Sequence, residues 1–338
     1  MMKKILSIVS KVCALLFTFV YGVLAVGTAI AYNHVDTVST ALGQNITNTV
    51  YVDTEDDGEE NTDTDYYKSD YSSVAEVRGA GIDYSQRIVE EGAVLLRNDK
   101  NALPLAAGTK VSLFGIGSAK STVSGYREKD KNESWVSFKD GLKAAGLDVN
   151  EELYGWYDSS SYGRKSILGH DTFGNIYTIG EAPWSALPAS KTASGYKTAI
   201  FVTSRIAGEA TDVQIRDLGE SAKGFDGLDG NYLTLSANER DVLSNLKAEK
   251  EKGTFDKIIV VMNVTNQVEC DFEDEYGVDA VLYSGSTGTA GTKAVGNILT
   301  GKVNPSGKLS DTFWKNHYLN PVLANWGQKT YTGNNPPY

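Results

Sequence analysis

Residues 257–264 read KIIVVMNV, apolar at nearly every position. A strand with one face in water alternates apolar and polar side chains, whereas a strand covered on both faces does not. This octet therefore calls for a sheet with helices on both sides. Three other runs have a similar character: KVSLFGIG at 110–117, the apolar stretch over 200–203, and VDAVLYSG at 278–285. Helical patterns separate them. SFKDGLKAAGLDV predicts a helix over Phe138–Ala145, ended by Gly146. Ser236 and Glu239 form the sequence signature of a capping box, followed by the inward stripe Val242, Leu243 and Leu246. A further helix is expected over Thr292–Leu299. Strand–helix repeats of this length imply the α/β class, with a mostly parallel sheet flanked by helices as a three-layer sandwich.

Three other stretches carry weaker expectations. VAEVRGAGIDYSQRIVEEGAVLLRN places Val74, Val77, Ile88, Ala93 and Leu96 at roughly helical intervals, interrupted at Gly79 and Gly81. The segment from Tyr154 to Ser190 is aromatic, glycine-rich and aperiodic, and too long for a simple connection. Its Trp156, Tyr157 and Trp184 either offer a sugar-stacking surface or cover the sheet. NPSGKLSDTF turns at Asn304–Gly307 and predicts one more short strand.

Ahead of all this, Lys3, Lys4 and Lys11 precede an uncharged run from Val12 to Tyr32. About 20 such residues span a bilayer as a helix, and the lysines favour a cytoplasmic N-terminus. Ala29 and Ala31 form an A-x-A-like cleavage site, so a signal peptide is the alternative. The run exceeds the roughly 7–15 residues usual for a signal, which favours a retained anchor. Either way the rest of the chain faces outward. The organisation expected is a stub and anchor (or signal) over 1–32, an acidic flexible linker over 33–71, the α/β domain over 72–315, and a tail or outgoing linker over 316–338.

Composition removes several function classes. The net charge of −11 argues against nucleic acid as a partner. Two cysteines, Cys13 and Cys270, make no disulfide framework, and three histidines leave little for a metal site. Gly115 and Gly117 form a G-x-G, yet Ser121 and Thr122 follow where a dinucleotide loop needs its third glycine. No cofactor is expected.

The strand over 200–203 breaks at once into Ser204, Arg205, Gly208, Glu209 and Asp212. Open α/β sheets put their ligands at such carboxyl ends of strands. In order and spacing, EEGAVLLRNDKNALPL, KVSLFG, SRIAGEATD, KIIVVMNV, VDAVLYSG and GKVNPSGKLSDTF resemble the α/β sandwich domain of family 3 glycoside hydrolases, the β-glucosidases and relatives. The similarity runs from about Gln86 to Phe313, and YLNPVLANWG further on resembles members whose sandwich precedes the (β/α)8 barrel. The resemblance implies that Glu209 is the general acid/base, that Asp212 orients its loop, and that Arg205 braces the strand end or that loop. Retaining hydrolysis needs a second carboxylate about 5–5.5 Å from the first, and in this family it comes from the barrel. The chain ends at Tyr338 before any barrel pattern, so half an active site is expected, inactive alone. The implied partners are a β-linked glucoside or oligosaccharide, a barrel in cis or trans, and the membrane through the N-terminal helix. Departures from the family pattern are GEATDV at the loop and SGSTGTAG after Tyr283. They keep open an inactive cell-surface carbohydrate-binding or structural module.

Overall fold

The computed structural model describes residues 2–35, 69–120, 122–123, 127–128, 135–168, 175–205, 233–270, 272–288 and 290–320. The chain divides into two compact units, Met1–Ser69 and Asp70–Tyr338. In the first, Met2–Asn33 forms one helix. Its stretch Val9–Tyr32, with a mean hydropathy of 2.1, is long and apolar enough for a single membrane span; a signal sequence has the same character.

The second unit holds ten strands among its described residues: β1 Val94–Asn98, β2 Lys110–Phe114, β3 Thr122–Val123, β4 Arg127–Glu128, β5 Asp148–Val149, β6 Gly163–Leu168, β7 Asn175–Gly180, β8 Thr198–Ser204, β9 Lys257–Asn263 and β10 Ala280–Tyr283. Six of them form the main sheet in the order β1-β10-β9-β8-β2-β5. All neighbours are parallel except β1, which runs antiparallel to β10 at the edge. β8 lies inside the sheet, with Thr198 beside Val111 of β2 and Lys257 of β9, and all seven of its residues are buried. The apolar octet of 257–264 supplies the adjacent strand, buried from Ile258 onward. Each such Val, Leu, Ile or Phe stabilises the fold by about 1.5–3 kcal/mol through burial.

From β2 the chain steps to β5 in one direction, whereas β8, β9 and β10 follow one another in the opposite direction. Right-handed crossovers then place the connecting helices on opposite faces. The helices Phe138–Ala144 and Thr292–Leu299 pack against each other, and Val74–Gly92 packs against Thr292–Leu299. Ala237–Glu251 packs on β8 and β9, and Glu151–Ser159 on β2. The contact of the first pair is a backbone approach: a Cβ on Gly141 would sit 2.6 Å from the carbonyl oxygen of Thr292. The predicted capping box is formed, with Ser236 Oγ accepting from Glu239 N at 3.2 Å and Glu239 Oε2 accepting from Ser236 N at 2.7 Å. Val242, Leu243 and Leu246 are its buried stripe.

Three local expectations are corrected. The helix Val74–Gly92 continues through Gly79 and Gly81, Val74, Val77 and Ile88 are exposed, and Leu96 belongs to β1. Only the last turns of that helix are covered, where Val89 meets Gly291, so the apolar spacing does not mark a buried face. The stretch from Tyr154 onward is not structureless: it completes the helix Glu151–Ser159 and then forms the β6–β7 hairpin. No strand forms over 304–313. There Gly307 N donates to Ala93 O at 3.0 Å, against the end of a helix and not along an edge strand.

Candidate functional site

Strand order reverses beside β2, whose neighbours are β5 on one side and β8 on the other. A crevice at the carboxyl ends of β2 and β8 is the place where such sheets bind ligands. Two segments leave the sheet there: Gly115–Ser118 after β2, and Arg205 after β8. They are pressed together. Gly115 has φ +85°, and any Cβ on it would collide with the Val202 carbonyl. A Cβ on Gly117 would strike the Ser204 side chain.

Arg205 is buried, with a side-chain exposure of 3%. Its Nη1 donates to Thr203 Oγ1 at 2.9 Å, to Ser204 O at 2.8 Å and to Glu239 Oε1 at 2.9 Å. Its Nη2 donates to Glu239 Oε2 at 2.9 Å and to Thr234 O at 2.6 Å. One planar fork thus ties the end of β8 to Thr234, across the segment 206–232, and to the first turn of the helix Ala237–Glu251. Burial alone would raise the Glu239 carboxyl. The Arg205 charge and the hydrogen bonds from Arg205, Thr203 and Ser236 outweigh it and hold the group below the usual carboxylate range.

A second buried carboxylate lies near the exit of β2. Glu181, just after β7, accepts from Ile116 N at 2.6 Å and from its neighbour Ala182 N at 2.9 Å. The amide that a dinucleotide loop would turn toward a phosphate is here engaged by a side chain. Burial pushes Glu181 up to about 8, and the Glu239 charge adds to the rise, while the two backbone donors oppose it. The Tyr157 hydroxyl lies beside Glu181 and the Gly115 backbone without a well-aligned hydrogen bond, and burial raises that phenol too.

The aromatic candidates divide. Tyr157 is fully buried and offers no ring face to a sugar. Trp156 is half-buried, edge-on to Tyr157 at 5.2 Å and tilted against Tyr162 at 6.1 Å. Trp184, also half-buried, stacks on Phe114 at 5.9 Å, and Lys191 Nζ lies 5.1 Å from its ring centre. Glu209 and Asp212 lie outside the described residues. Sequence reasoning missed Glu181, which sits in an aperiodic stretch, and the buried pair Glu269–His317, whose members are 48 residues apart. No local pattern marks either one. Among the described residues no cluster of three or more His, Cys, Asp or Glu side chains could hold a metal.

Residues 93–337 match the glycosyl hydrolase family 3 C-terminal domain. The chain therefore belongs to glycosyl hydrolase family 3, represented by that domain. Beta-glucosidase A of Butyrivibrio fibrisolvens is 32% identical over 244 residues, covering 66% of this chain and 27% of its own length. A beta-glucosidase of Ruminococcus albus is 29% identical over 228 residues, covering 66% of this chain and 22% of its own. Among solved structures, beta-glucosidase 3B of Thermotoga neapolitana superposes with a TM-score of 0.57 at 26% identity, over 77% of this chain and 34% of that one. The chain thus spans about a quarter of the length of those two curated relatives.

Proposed function

We propose that this chain supplies the acid/base half of a retaining glycosidase active site, with Glu209 as proton donor to a β-linked glucoside. The observation that carries the reading is the position of Arg205, four residues before Glu209 and fixed by five hydrogen bonds where β8 meets the crevice. A proton donor must be aimed at the glycosidic oxygen, and a rigid stem at the carboxyl end of a buried strand supports that aim. Asp212 orients the loop, and the half-buried Trp156 and Trp184 give sugar rings a stacking surface. The nucleophile comes from a (β/α)8 barrel in cis or trans, so the chain alone turns over no aryl β-glucoside. The N-terminal helix anchors the domain on the outer face of the membrane; full protection of the domain from protease added to intact cells would count against this.

The test joins this chain to the barrel of a relative. Glu209→Ala should lower hydrolysis of unactivated disaccharides by roughly 10²–10⁴. Activated aryl glucosides should lose much less in the bond-breaking step, because their leaving group departs as the anion. Azide should partly restore their turnover by attacking the glycosyl-enzyme. Equal losses on both substrates without azide rescue would move the acid/base elsewhere. Trp156→Ala and Trp184→Ala should instead weaken binding and leave the leaving-group dependence unchanged.

A further inference from the structure

The last described turn of the domain, His317–Leu319, is held by a buried carboxylate. Glu269, in the stretch that follows β9, accepts from His317 N at 2.7 Å, and the same carboxylate oxygen pairs with His317 Nδ1. Both residues are buried, with side-chain exposures of 9% and 2%. Next to Glu269, Cys270 N donates to Trp314 O at 3.2 Å. The backbone of Glu269 has a different task. Its N–H donates to Leu233 O at 2.8 Å, and Leu233 precedes Thr234, whose carbonyl oxygen accepts from Arg205.

We propose that Glu269 is a positioning residue that couples the outgoing segment 314–320 to the base of the segment carrying Glu209. The contacts form one continuous path. His317 fixes the Glu269 side chain, the Glu269 amide fixes Leu233, and Thr234 then presents its carbonyl to the Arg205 fork on Glu239. A domain attached beyond residue 320 would therefore act on the Arg205 clamp through its own tether. The functional meaning rests on Glu209 being the proton donor; the coupling itself does not.

Amide hydrogen exchange on the full chain in detergent tests the coupling without any turnover, so its failure is separate from failure of the catalytic assignment. His317→Ala should speed exchange about tenfold in 314–320, at Glu269, and also in the stretch 233–239, which the path reaches through the Glu269 amide. Exchange in the β9 core, residues 258–262, should stay unchanged. His317→Asn, whose amide nitrogen can take the place of Nδ1, should restore the slow rates. Acceleration confined to 314–320 and Glu269 would overturn the coupling, since the path would stop at the pair. Equal acceleration in β9 would also overturn it, as general destabilisation.

Discussion

Arg205 and Glu239 meet fork to fork, with Nη1 2.9 Å from Oε1 and Nη2 2.9 Å from Oε2, both side chains buried. The pair joins two jobs that are usually separate. Glu239 closes the capping box of the helix Ala237–Glu251, and the same carboxylate holds the guanidinium that spans the ends of segment 206–232. Helix initiation and the anchoring of Arg205 thus depend on one charge.

Breaking that pair should be costly, because the remaining charge would stay buried and unpaired. Glu239→Gln should reduce unfolding free energy by about 3–5 kcal/mol. Replacing both partners, with Arg205→Met and Glu239→Leu, should recover most of this loss, since no buried charge then remains to be desolvated. Urea denaturation of Glu239→Gln, of each single replacement and of the double variant checks it. A double variant that is as unstable as the two single losses added together would contradict the account.

Glu181 predicts an unusual dependence of stability on pH. Its folded value of about 8 lies above the ordinary 4.5, so the folded state holds the proton over that interval and the unfolded chain does not. Its stabilising contribution is complete below pH 4.5 and is lost as pH rises toward and through 8. A shift of this size corresponds to about 5 kcal/mol across the window. Glu239 is depressed, and its contribution is lost only as pH falls below the carboxylate range, outside this window. Glu181→Gln should flatten the slope and be more stable than the native chain at about pH 9, although it costs a hydrogen bond in acid. A slope that persists in Glu181→Gln assigns it to another group.

The helix pair on the other face is limited by backbone volume. A Cβ on Gly296 would lie 2.6 Å from Gly141 O and 2.9 Å from the Ala145 Cβ. Gly296→Ala should therefore destabilise by about 1–3 kcal/mol through overpacking, although alanine is the better helix former. Gly155→Ala, in a helix with open space around it, is the control and should be neutral or stabilising. Thermal melting of both decides; equal melting temperatures would mean that the two helices can move apart at little cost.

The buried strands were legible in the sequence because a two-sided sheet needs unbroken apolar runs, and KIIVVMNV is apolar without a break from Ile258 to Met262. The capping box at Ser236 was legible because both its partners lie within one helical turn. Sequence alone also placed Arg205 at the end of a buried strand, since the run before it is apolar and the stretch after it polar. Only the tertiary structure assigned its partner, because Glu239 lies 34 residues further on and nothing local links the two. The same holds for Glu181 against the β2 exit, 65 residues from Ile116, and for Glu269 with His317. Apolar spacing alone could not show that Val74, Val77 and Ile88 of the helix Val74–Gly92 stay exposed, because period shows which side chains align but not whether a neighbour arrives to cover them. Periodicity is a property of a segment. Pairing of buried charges depends on which strand ends the topology brings together, and that is settled only when the sheet is assembled.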